Sequence, residues 1–127
     1  MSQGDAQIDF YPATQAPIFR ENWPRMRSHA IVPRSKEGWI DPVISEWSLE
    51  GAAWEDFHPH AEYNYVLEGE LHISVDGEEV VLQVGDSATV PAGKLGRYWA
   101  PKFARMLTVY GPNPDGEEST DFKYEEL

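Results

Sequence analysis

The sequence predicts an all-β domain, an antiparallel sandwich or barrel of many short strands. Three observations lead there. Short runs of alternating apolar and polar residues are separated by turn signals every ~8–12 residues. Ten Gly and ten Pro in 127 residues interrupt any long helical pattern, and no helix of three turns is evident. A hydrophobic content of 41%, with five Trp, six Tyr and five Phe, is enough to build a real core.

The elements follow in order. Residues 1–36 carry Pro12, Pro17, Pro24 and Pro33, spaced too closely for long helices or central strands. This stretch reads as an extended N-terminal arm packed on the core or on a neighbouring chain. From Gly38 the texture changes, and strands are expected at Trp39–Leu49, Ala61–Leu67, Leu71–Val75, Val80–Val84, Ala88–Val90 and Phe103–Tyr110. Asp76-Gly77 is a two-residue hairpin signal, because both positions tolerate positive φ. Further breaks fall at Glu50-Gly51, Glu68-Gly69, Gly85-Asp86 and Pro91-Ala92-Gly93. The organisation is one domain: arm 1–36, barrel core 37–111, and an acidic tail 112–127 expected to be a solvated end.

Charge narrows the partners. The net charge is −12, and thirteen Asp or Glu stand between Glu37 and Gly93 without a single Lys or Arg. Such a surface repels phosphate backbones, so no nucleic-acid partner is expected. Without Cys, disulfides, thiolate metal sites and cysteine nucleophiles are excluded together. No apolar run of ~18 residues marks a membrane span, and MSQGDAQIDF lacks the form of a signal peptide. The expectation is a soluble cytoplasmic protein.

Two clusters stand out. The first is Phe57-His58-Pro59-His60-Ala61-Glu62, continuing through Tyr65-Val66-Leu67-Glu68-Gly69; the second runs from Gly85 to Pro91-Ala92-Gly93. Over residues 39–110 these resemble the two motifs of the cupin superfamily, small double-stranded β-helix (jelly-roll) barrels. The first motif, a His-x-His pair, a Glu, six residues and a Gly, matches at His58, His60, Glu62 and Gly69. The second, a Gly, five residues, Pro-x-Gly and a later His, matches at Gly85, Pro91 and Gly93. Two departures are plain. Only Ala61 separates His60 from Glu62; counted back from Glu62, His58 takes the second His position and Asp56 the first. Gly96 stands where the second motif supplies a ligand His. The segment Glu62–Val109 looks most like cupins of the ethanolamine-utilisation type, which also lack the usual metal histidines. That group is associated with acetate kinase activity; the resemblance carries the barrel, not the activity.

On a strand His58 and His60 point to one face, whereas Glu62 lies ~13 Å from His58 along a straight chain at ~3.3 Å per residue. The three meet only if the chain bends, which Pro59 permits. Bent, they form a site of two imidazoles and one carboxylate suited to Fe(II), or to Mn, Ni or Zn. Unbent, they are solvent-facing groups at a barrel mouth. Parity turns Glu62, Asn64 and Val66 inward and Tyr63, Tyr65 and Leu67 outward, and sets Tyr98 on the inward face with Gly96. Asn64 and Tyr98 are thus the expected substrate-binding residues. Trp54 and Phe57 line the mouth or belong to core or interface; His72 reads as a surface or interface residue, and His29 has no assigned role.

No phosphate-cradling loop or nucleophile elbow is present, so no nucleotide cofactor is expected. Three functions remain. One is a metal-dependent cupin enzyme (dioxygenase, isomerase, cyclase or lyase) acting on a small organic molecule. The others are a metal-free ligand-binding or accessory cupin, and a structural dimerisation module. A homodimer is expected in any case, because the outward rings of Tyr63, Tyr65 and Trp99 are costly to leave in water.

Overall fold

The computed structural model describes residues 7–13 and 18–127; the remainder of the expected arm lies outside the described residues. Among the described residues, eleven antiparallel strands form two facing sheets and no helix occurs. The strands are β1 (Ile18–Arg20), β2 (Trp23–Val32), β3 (Val43–Leu49), β4 (Ala52–His58), β5 (Glu62–Gly69), β6 (Leu71–Val75), β7 (Glu78–Leu82), β8 (Ser87–Val90), β9 (Lys94–Ala100), β10 (Ala104–Tyr110) and β11 (Thr120–Glu126). One sheet runs β1-β2-β3-β10-β5-β8 and the other β11-β4-β9-β6-β7. The architecture is the all-β jelly-roll barrel that the sequence predicts.

Several elements follow directly from their residues. Asp76 and Gly77 have φ of 51° and 84°, the left-handed pair of a two-residue hairpin, and Val75 pairs with Glu78 across it. The turn therefore opens β7 at Glu78, two residues before the expected start. On β5 the alternation holds: Glu62, Asn64 and Val66 are buried, and Tyr63 and Tyr65 are exposed. Between the sheets Leu49, Val66, Leu71 and Met106 are fully buried, each contributing about 1.5–3 kcal/mol of apolar burial.

Other elements differ from expectation. Part of the expected arm is a sheet strand: β2 pairs with β3 from Met26 to Val32, its prolines confined to the ends at Pro24 and Pro33, where no donor is lost from this ladder. The acidic tail is not simply solvated, because β11 pairs with β4 and lays Tyr124 beside Trp23 and Trp54. Trp54, weighed for the mouth, the core or an interface, belongs to the buried core, 4.7 Å from Trp23 between ring centroids. The outward aromatics do not form one surface. Trp99 belongs to the other sheet from Tyr63 and Tyr65, and its ring is half-buried under His72 and the Arg97 guanidinium. No helix among the described residues is long and apolar enough to cross a membrane.

Candidate functional site

The site lies where the chain crosses from one sheet to the other. Strand β4 ends at His58, residues 59–61 turn, and β5 begins at Glu62 in the facing sheet. Two backbone bonds hold this turn, Gly93 N to the His58 carbonyl and Gly111 N to the Ala61 carbonyl, each 2.9 Å. The bend is thus real, and it carries His58 and Glu62 into contact: His58 Nε2 is 2.7 Å from Glu62 Oε2. A straight strand would have kept them apart.

Asp56 joins them from β4, its Oδ1 3.4 Å from the same Nε2. The other ring nitrogen settles the tautomer. His58 Nδ1 lies 3.0 Å from the His60 carbonyl oxygen, which can only accept, so Nδ1 carries a proton. Nε2 then faces two carboxyl groups, and a bare lone pair there would be repelled by both; a proton on Nε2 turns repulsion into a charged hydrogen bond. Opposite stands Tyr98 of β9, fully buried, its hydroxyl 3.5 Å from Nε2. A Cβ placed on Gly96 would come 2.8 Å from that hydroxyl. Tyr98 therefore fills the seat in which the second cupin motif supplies a His.

Deeper in the barrel the hydrogen bonds have a fixed direction. Trp47 Nε1–H donates to Thr108 Oγ1 at 2.8 Å, and Thr108 passes its own hydrogen to Asn64 Oδ1 at 2.9 Å. With Thr108 donating, the Asn64 oxygen faces Thr108 and its amide NH2 points elsewhere. That nitrogen is completely buried and has no partner; Asp56 Oδ1 is likewise buried without a hydrogen bond. An unsatisfied buried group of this kind costs about 1–3 kcal/mol.

The cupin domain family matches residues 46–110, just over half of the chain. The chain belongs to the cupin family. Similar solved structures include an RmlC-like cupin from Shewanella frigidimarina, 20% identical, covering 84% of this chain and 93% of that one with a TM-score of 0.66. KdgF from a Halomonas species is 16% identical over 83% and 95% of the two chains, with a TM-score of 0.65. The EutQ protein of Clostridium difficile is 19% identical over 70% and 71%, with a TM-score of 0.55, in line with the ethanolamine-utilisation resemblance. At these identities the likeness is one of fold. No curated protein sequence matches this one.

Of the three expected metal ligands of this cupin, the structure brings His58 and Glu62 together and sets His60 differently. The His60 ring stacks on that of His58, centroids 4.9 Å apart and planes within 3°. Imidazole lone pairs lie in the ring plane, so two parallel rings cannot both aim a nitrogen at one ion. His60 is instead lodged between Trp39 and Tyr110, at 5.3 and 5.0 Å, and its Nδ1 lies 3.3 Å from the Ala61 carbonyl. Gly96 supplies no donor. Among the described residues no group of three or more His, Asp or Glu is arranged to hold a metal ion. As placed, His58, His60 and Glu62 do not fit a divalent metal. The set that converges is Asp56, His58 and Glu62, the one obtained by counting back from Glu62. Trp39, Tyr110 and the Trp47–Thr108 relay carried no chemical motif and could not be found by spacing.

Burial alone would lower the His58 pKa, but the hydrogen bond and charge of Glu62, then the charge of Asp56, outweigh it and raise it to about 9. Asp56 is raised to about 6, first by burial and then by the Glu62 charge. Burial lowers the pKa of His60 and raises that of Tyr98 well above its ordinary value. Both His58 and Asp56 therefore bind protons more tightly in the folded chain. The His58 contribution to stability is whole below pH 6.5 and is lost as pH rises through about 9; the cost of ionising Asp56 enters between pH 3.8 and about 6. Urea denaturation across this range should show the margin of wild type over His58→Gln shrinking by on the order of 3 kcal/mol from pH 6.5 to about 9. A margin that stays flat contradicts the charged pair.

Proposed function

We propose that this cupin binds a small organic molecule in the barrel, at Asp56, Asn64 and Tyr98 beside the His58–Glu62 pair, without a divalent metal. The observation that carries this reading is the unpartnered buried donor Asn64 Nδ2, together with the buried Asp56 Oδ1, which lies 3.4 Å from His58 Nε2 but makes no hydrogen bond. One is a donor seeking an acceptor and the other an acceptor seeking a donor. The fitting ligand carries both functions, as a hydroxy-carbonyl compound does, and its binding would satisfy groups whose desolvation is already borne by the fold. The proton shared between His58 Nε2 and Glu62, with the Tyr98 hydroxyl alongside, also equips the site for general acid–base work on such a molecule.

Thermal unfolding with dihydroxyacetone, glycolaldehyde and lactate, and with acetone as the acceptor-only control, tests the reading. A compound that fits should raise the melting temperature, by linkage worth about 2.7 kcal/mol at roughly a hundredfold excess over Kd, and Asn64→Leu should abolish the rise. If no compound acts but Fe(II), Mn(II), Ni(II) or Zn(II) raises the melting temperature and His58→Ala removes that rise, the metal-dependent enzyme takes its place. If neither acts, the domain is a structural module.

We also propose a homodimer through the outer face of the six-stranded sheet. Tyr63, Val109 and Ile44 form one row across β5, β10 and β3, and Tyr65 and Leu107 adjoin it in the next. The tyrosines are nearly half exposed, and the nearby Glu46 and Glu68 are both paired with Arg105. In a chain of net charge −12, this face carries little unpaired negative charge to repel a second copy. Light scattering should give a dimer for wild type and a monomer for Tyr65→Glu; a wild-type monomer contradicts the proposal.

A further inference from the structure

The ionised cluster sits at the open end of the strands, yet His58, His60 and Glu62 are only 1%, 3% and 5% exposed. The cover over His60 is Trp39, carried on the irregular loop 33–42 between β2 and β3. Arg34, at the start of this loop, is near enough for its charge to act on Asp56, His60 and Tyr110. The outer side of the loop faces water at Ile40, which is 74% exposed.

The loop is fastened to a second irregular stretch, residues 111–119. Trp39 N donates to the Asn113 carbonyl at 3.0 Å, Asn113 N to the Trp39 carbonyl at 2.8 Å, and Trp39 Nε1 to the Gly111 carbonyl at 2.7 Å. Trp39–Asn113 is an isolated bridge, in contrast to the seven paired residues that join β4 to β9 below it. Close backbone approach completes the clasp. Gly38 has a φ of +118°, and a Cβ there would lie 2.3 Å from the Pro114 carbonyl oxygen. A clasp of a few bonds, joined to no ladder, falls at the low end of local opening free energies.

We propose that the Trp39 loop is the gate of the barrel and that Trp39 determines what reaches Asp56, His58 and Glu62. The closed form is the one described. A molecule from outside enters when the Trp39–Asn113 bridge parts and the indole leaves His60, so gate opening limits which molecules enter and how fast. The gate rests on the reading that the buried cluster meets an outside molecule, but its test reads access alone and needs no ligand.

Ile40 and Pro112 flank the antiparallel Trp39–Asn113 bridge, and the chain has no other Cys to compete with a disulfide engineered between them. Ile40→Cys with Pro112→Cys therefore gives one protein with a locked gate when oxidised and a free gate when reduced. The probe is diethyl pyrocarbonate, which acylates neutral imidazole; His60, its pKa lowered by burial, is the reporter, and the half-buried His29 and His72 are references in the same sample. Mass spectrometry should show His60 modified at least about tenfold more slowly in the oxidised form, since the rate scales with the open fraction, and restored on reduction. Equal rates in the two forms overturn the gate. Should the disulfide fail to form, Gly38→Ala serves, because its Cβ must push against Pro114; circular dichroism confirms the fold, and a His60 rate no faster than wild type again overturns the proposal.

Discussion

A carbonyl oxygen accepts and never donates, and the His60 carbonyl lies 3.0 Å from His58 Nδ1. That one contact holds a proton on Nδ1 and turns the opposite nitrogen toward Glu62 and Asp56. From it follow the charged Nε2–Glu62 hydrogen bond, the raised proton affinity of His58, and the need for a closed turn between β4 and β5. Two ionised side chains at this depth would be expensive apart; together they satisfy one another. Tyr98 completes the arrangement by filling the space that Gly96 leaves empty.

The barrel makes this pairing possible because its two sheets meet at the turn. Strand β4 delivers Asp56 and His58 from one sheet, and β5 delivers Glu62 and Asn64 from the other. Below them Asn64 accepts from Thr108 in the Trp47–Thr108–Asn64 relay, and its donor end is unpaired. The fold thus tolerates two buried polar atoms without a hydrogen bond beside the paired polar groups of the barrel. Native structures keep such groups rarely, and most often where a ligand or water completes them.

The sequence was most legible where local chemistry and burial agree. Asp76-Gly77 announced its hairpin, and the Glu62–Val66 alternation announced which side chains face inward. Strands β4 and β9 were hidden because their inward positions are not uniformly apolar: Asp56 and His58 on one, Gly96 on the other. The candidate site residues themselves interrupt the alternation that marks a strand. Strand β2 was masked by prolines that stand at its ends, and β11 by acidic residues on the exposed side of an edge strand. Spacing put His58 and His60 on one face of a strand, but His60 lies in the turn after β4, and the angle between their ring planes could not be read from spacing. That angle is what separates a stacked pair from two converging metal ligands.

The central claim is that His58 is a doubly protonated imidazole held between Glu62 and Asp56. Nitrogen-15 NMR of the ring at about pH 8, where an ordinary imidazole of pKa ~6.5 is neutral, tests it directly. The account predicts that both His58 nitrogens carry protons at that pH, with the Nε2 proton shifted downfield by Glu62, and that Glu62→Gln returns the ring to a single proton. A wild-type ring with one proton and a bare Nε2 at that pH would contradict it.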